Sequence, residues 1–235
     1  MEKLNFTFLS FLQEPWFVIP WYVVGFAAAI WVTYDEVKVN TQVNKALKYG
    51  WPIIFIFFSV VGLALYFITC RPPGIGTKKG QAEKEYHHHY VSPQWKKVTG
   101  SVIHCVAGDG LGIMTAMVIS RIIDLKFWPE FWFEYATGFV FGWFIFQFIA
   151  MKSMGHSILK TIWLAGRAEF FSMITVMLGM GLVMRFITPE IAGYPPNPDT
   201  FTFWGYSAFG LFIGALFTFP MNWWLVSIGW KHGMS

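Results

Sequence analysis

Six stretches of this chain are each apolar over about twenty residues, and no other feature narrows its fold as far. A bilayer core about 30 Å thick is crossed by roughly 20 helical residues, and only a helix or a closed barrel satisfies its own backbone groups in hydrocarbon. The runs cover residues 16–34, 51–70, 98–123, 131–151, 162–187 and 201–228. They predict a single-domain, all-α, polytopic transmembrane bundle of about six helices. The first run closes on Tyr34-Asp35 and the second opens on Trp51-Pro52. The last carries no charge but contains Pro220. Only 13% of the residues are charged, whereas soluble domains carry about a quarter. The 26 Phe and 13 Trp suit a surface that faces lipid, with several Trp near helix ends as interfacial anchors. A net charge of +4, with basic residues placed between apolar runs, argues against nucleic-acid binding.

Cys70 and Cys105 do not make a disulfide framework, and the first apolar run, crowded with Trp, Tyr and Pro, does not read as a cleavable signal. The one long connection, residues 71–97, starts with the helix-stopping Pro72-Pro73-Gly74 and ends with the biased segment Tyr86-His87-His88-His89-Tyr90. Six crossings would put both termini on one face together with that loop. Eleven basic residues then fall on this face: Lys3, Arg71, Lys78, Lys79, Lys84, Lys96, Lys97, Lys152, Lys160, Arg167 and Lys231. Six fall on the other, namely Lys38, Lys45, Lys48, Arg121, Lys126 and Arg185. The excess predicts a multi-pass protein of the cell membrane with cytoplasmic termini.

The unusual polar residues gather towards the loop face. Besides the histidine run they include His104, Cys105, Asp109, Met151, Met154, His156, Arg167, Glu169, Asn222 and His232. An ionisable side chain at membrane depth must pair, face the bundle interior or line a wet cavity. Cys105 and Asp109 are four residues apart and share a helix face, with His104 one step round the same turn. With Glu169 they form a candidate metal site in which sulfur favours copper(I) or zinc and imidazole also admits iron. The competing structural reading is an Arg167–Asp109 or Arg167–Glu169 ion pair that locks two helices together. Met173, Met177, Met180 and Met184 make one stripe on the fifth helix, either a copper(I) path or adaptable core packing. His87, His88 and His89 either capture a metal before it enters or are solvated imidazoles that titrate near neutral pH. Gly108 with Gly112, and Gly210 with Gly214, have the small-xxx-small spacing of closely packed membrane helices. Hydrolase elbows, zincin motifs and dinucleotide fingerprints are all missing from the sequence, so it suggests no reaction.

With these residues in hand, the chain resembles a bacterial and archaeal membrane family known as domain of unknown function 4396. The likeness rests on Tyr34-Asp35, Trp51-Pro52, His104-Cys105 with Gly108-Asp109, Ala168-Glu169 with Ser172, and Pro220-Met221-Asn222-Trp223-Trp224-Leu225. The His-Cys pair and the last motif are the most specific. The resemblance implies a membrane location and a helical fold, without an activity. Two functions stay open: binding or passage of a metal ion, copper first, through the intramembrane site; and a non-catalytic subunit packed against other membrane proteins.

Overall fold

The computed structural model describes residues 6–77, 80–148, 157–192 and 196–234, and among these the only regular structure is helical. Met151, Met154 and His156 lie outside the described residues. A short 3-10 helix, Thr7–Gln13, leads into α1 (Pro15–Lys38), which starts with proline where the missing N–H has no partner to lose. Then come α2 (Lys45–Thr69), α3 (Gln81–Val91), α4 (Gln94–Ile122) and α5 (Phe127–Val140). The last of these continues as a π-helical stretch, Phe141–Gln147. Next, α6 (Ile158–Leu182) runs on through a second π-helical stretch, Val183–Ile187, into Thr188–Ala192, and α7 is Phe201–Ser227. Asn44 caps α2 by accepting from Ala46 N at 2.9 Å, and Thr200 caps α7 by accepting from Phe203 N at 3.3 Å.

Helix α2 departs from the six-crossing expectation. Ser59, at its middle, has φ 45° and ψ −122°, which no helical residue adopts. The chain reverses there, so that residues 45–58 and 60–69 form two antiparallel legs. The rings of Trp51 and Tyr66 sit 5.2 Å apart, where a straight helix would separate residues fifteen apart by about 22 Å. Both ends of α2 meet the end of α1. Lys48 Nζ donates to Glu36 O at 3.0 Å, and Arg71 Nε donates to Asp35 Oδ2 at 2.9 Å. Tyr66 donates to the same carboxylate at 2.9 Å, while Asn40 Nδ2 donates to Cys70 O at 3.2 Å. Gly62 lies against Phe55 where the legs close, and Trp21 Nε1 donates to Phe57 O near the tip, at 2.9 Å. Among the described residues every apolar run is thus helical, but α1, α4, α5, α6 and α7 cross the bundle whereas α2 enters and returns.

One fewer crossing separates the ends of the chain. Tyr206, at the start of α7, donates to Leu9 O at 3.2 Å, which fixes the N-terminal 3-10 helix to that face. At the opposite face, Met234 N donates to Lys97 O at 3.0 Å, beside the start of α4. The expectation of both termini on one face is therefore corrected. The connection 71–97 is not an open loop either, since α3 occupies its second half.

Helix α4 is buried nearly all round, which marks it as the centre of the bundle. Glycines set its contacts. A Cβ on Gly112 would stand 2.7 Å from the Gly138 Cα of α5, so these backbones touch. Gly179 of α6 and Gly214 of α7 do the same at 2.6 Å. Gly210 makes only ordinary contact with Val183, and Gly108 is simply buried. Large apolar side chains such as Trp16, Ile30, Leu159 and Trp163 cover the outer surface, as contact with a bilayer requires.

Candidate metal centre

The i, i+4 spacing on α4 places Cys105 and Asp109 on one face, and Glu169 of α6 comes to meet them. The Cys105 thiol donates to Asp109 Oδ2 at 3.4 Å and lies 3.5 and 3.7 Å from the two Glu169 oxygens. One ligand atom from each of the three residues lies within 4.8 Å of the others, and all three residues are buried. The two carboxyl groups are near neighbours, each within reach of the one sulfur. Two carboxyl groups that close need a proton or a cation between them. Asp109 Oδ1 is buried and meets no hydrogen-bond donor among the described residues.

The space for this cluster comes from the π-helical stretch of α5. A Cβ on Gly142 would collide with Glu169 Oε1 and Asp109 Oδ1, so only glycine lets α5 pass beside the carboxylates. A π-helical turn inside an α-helix is uncommon and often found at functional sites. The sequence signal for Gly142 is no more than a glycine within Phe141-Gly142-Trp143.

The cation at the cluster is Lys231, from the tail that follows α7. Gly229, with φ 71°, turns the chain, and the N–H groups of Trp230 and Lys231 both donate to Leu225 O, at 2.9 and 3.1 Å. This left-handed turn ends the helix in the usual glycine manner and sends Lys231 back into the bundle. The lysine is 2% exposed. Its Nζ donates to Ser172 Oγ at 3.0 Å, and Ser172 donates to Asn222 Oδ1 at 3.0 Å. Ser172 lies one turn beyond Glu169 on α6, so the ammonium stands near enough to the cluster to interact electrostatically with Cys105, Glu169 and Asp109.

Arg167, expected to pair with Asp109, instead places its guanidinium over the Trp230 ring at 4.3 Å. Nine residues from the start of α6, it meets the aromatic tail before it reaches the carboxylates. His104 is buried, but one step round α4 turns it about 100° away from Cys105. Its Cα faces Gly50 of α2, so it belongs to the α2–α4 contact and not to the three-residue cluster. His87, His88 and His89 lie on α3, where consecutive residues point in different directions. His87 is buried and the other two are exposed. Burial lowers the pKa of His87 below the ordinary histidine value. Met173, Met177 and Met180 pack in the core with α4, and Met184 sits at its margin. Three of this stripe, Met177, Met180 and Met184, also line an apolar cavity of about 610 Å³ against α5.

The family described as Domain of unknown function (DUF4396) has a model that matches residues 94–231. The matched segment begins with the first residue of α4, ends on Lys231 and holds every member of the cluster. Tyr34-Asp35 and Trp51-Pro52 lie outside it. No curated protein and no solved structure matches the chain.

Proposed function

This chain belongs to the DUF4396 family, and from that premise we propose that it is a multi-pass membrane protein whose Cys105, Asp109 and Glu169 bind a divalent metal ion inside the bundle. The observation that carries this reading is the convergence of three buried ligand atoms within 4.8 Å of one another, beside an Asp109 oxygen that no donor among the described residues reaches. One thiolate and two carboxylates suit a zinc-class ion, which accepts sulfur and oxygen ligands and uses three protein ligands in open sites. Copper(I) prefers several soft sulfur donors, and this cluster offers one, so copper ranks behind zinc.

The basic residues also bear on orientation. With α2 as a hairpin, the face that holds the C-terminal tail collects Lys38, Lys45, Lys48, Arg71, Lys84, Lys96, Lys97, Lys160, Arg167 and Lys231 among the described residues. The opposite face collects Arg121, Lys126 and Arg185. Ten against three is a stronger asymmetry than six crossings would give. It supports a cytoplasmic tail and an N-terminus on the far side of the membrane.

Elemental analysis of purified wild type beside Cys105→Ala and Glu169→Gln tests the function. About one zinc-class ion per chain is expected in the wild type and loss in both variants, and a thiolate-to-metal charge-transfer band after cobalt(II) loading would identify Cys105 as a ligand. Wild type that takes up no metal from zinc, copper, iron or cobalt solutions refutes the reading. That outcome would favour the role of a packing subunit in a larger membrane assembly.

A further inference from the structure

The metal reading leaves one group without a role: a buried lysine, Lys231, that bonds Ser172 one turn from Glu169. It comes from neither of the helices that supply the ligands but from a seven-residue tail, 228–234, folded back under the bundle. The tail is docked at both ends. Its start turns at Gly229, and its end is held by the Met234 N–H donating to Lys97 O at 3.0 Å. Close packing secures it. A Cβ on Gly233 would lie 2.7 Å from Lys97 Cβ, and a Cβ on Gly100 would collide with the Met234 carbonyl. Lys231 thus reaches Ser172, one turn from Glu169, from a segment that can leave without unwinding a transmembrane helix.

We infer that Lys231 is a tethered counter-ion of the Cys105–Asp109–Glu169 site, displaced when a divalent cation binds, and that the 228–234 tail is the gate that this displacement opens. The inference rests on the cluster being a cation site and adds how its occupancy is controlled. An ammonium and a metal ion compete for the same carboxylates, since each satisfies the negative charge that the other would leave uncompensated at low dielectric. With the lysine seated, an ion has to replace the lysine's contacts before it gains its own. The tail also lies on the face from which α4 and α6 begin, so its departure uncovers the shorter route to the cluster.

The test compares zinc(II) binding by wild type, Lys231→Met and Lys231→Arg in detergent, with thermal unfolding recorded with and without zinc. Methionine keeps the unbranched stem and removes the charge, while arginine keeps the charge. Lys231→Met is expected to bind zinc at least about tenfold more tightly than wild type, the effect of removing one competing contact of ordinary strength. Its unfolding temperature should fall without zinc and recover with it by more than the wild type gains, because metal binding stabilises by mass action. Lys231→Arg should stay close to wild type. A second variant, Lys97→Cys/Gly233→Cys, locks the tail through a disulfide between adjacent backbones. Zinc uptake should slow when it is oxidised and recover on reduction. Wild-type binding with equal or weaker binding by Lys231→Met would overturn the inference and leave the metal site standing, as would uptake by the locked tail at the reduced rate. Absence of zinc from wild type and Lys231→Met alike would instead remove the metal site itself.

Discussion

Single cysteines at Gln42 and Thr77, read with a maleimide too polar to cross a bilayer, distinguish a returning α2 from a crossing one. Both positions are exposed and flank the helix, and the native Cys70 and Cys105 are buried, so the unsubstituted chain supplies the blank. As one straight helix, the 25 residues of α2 would measure about 37 Å, enough to carry the chain across a 30 Å core. Reversed at Ser59, its longer leg measures about 21 Å and ends inside the core. Gln42→Cys and Thr77→Cys should therefore label from the same face of oriented vesicles, and Lys126→Cys and Asp199→Cys from the other. Spin labels at Tyr49 and Ile68 give a second reading. These residues are nearly equidistant from Ser59, so their backbones should stand about 10 Å apart, as packed helices do, against about 28 Å along a straight helix. Labelling of Gln42→Cys and Thr77→Cys from opposite faces, or a spin distance near the longer value, would refute the hairpin and restore six crossings.

Other substitutions probe the remaining features. Gly142→Ala should destabilise the protein by about 1–3 kcal/mol in thermal unfolding, the usual cost of overpacking, and should lower metal content because its Cβ occupies the carboxylates' space. Unchanged stability and metal content would show that α5 does not confine the site. Arg121→Met breaks a 2.9 Å ion pair with Glu130 between side chains only 9% and 5% exposed. The uncompensated carboxylate should cost about 3–5 kcal/mol, and a double replacement with Glu130→Gln should recover much of the loss. His87 has its pKa lowered by burial, so the folded state holds fewer protons there than the unfolded state as pH falls through about 6.5. Stability should consequently decline on acidification through that range, and His87→Gln should reduce the slope. An identical pH profile for the two proteins would show that His87 has no part in it.

How much of this was legible before the structure depended on what each signal measures. Hydropathy reports the length of an apolar run, and it located the six apolar helical segments but not the polar α3. It carries no information on direction, and the reversal at Ser59 lies within Phe58-Ser59-Val60, where neither glycine nor proline marks a turn. Helical periodicity brought Cys105 and Asp109 to one face, and depth brought Glu169 to the same level. The same periodicity turns His104, a neighbour in sequence, about 100° away from Cys105. Lys231 was legible only as a basic residue past the last helix, a position that normally faces water. Its burial depends on Gly229 and on the docking of Met234 against Lys97, a tertiary contact with no local signature. Arg167 seemed the natural partner for the carboxylates for want of any other cation nearby in sequence.

The backbone contact between Gly112 and Gly138 would be the fulcrum of any rocking of α5. Gly142 lies four residues beyond it on α5, about 6 Å along the axis, whereas Phe127 lies eleven residues the other way, about 16 Å. A rocking of α5 by about 10° around this point would move Gly142 by about 1 Å and Phe127 by about 3 Å. The short arm would thus shift little beside the carboxylates of α4 and α6 while the long arm, beside the large apolar cavity, would swing about three times as far.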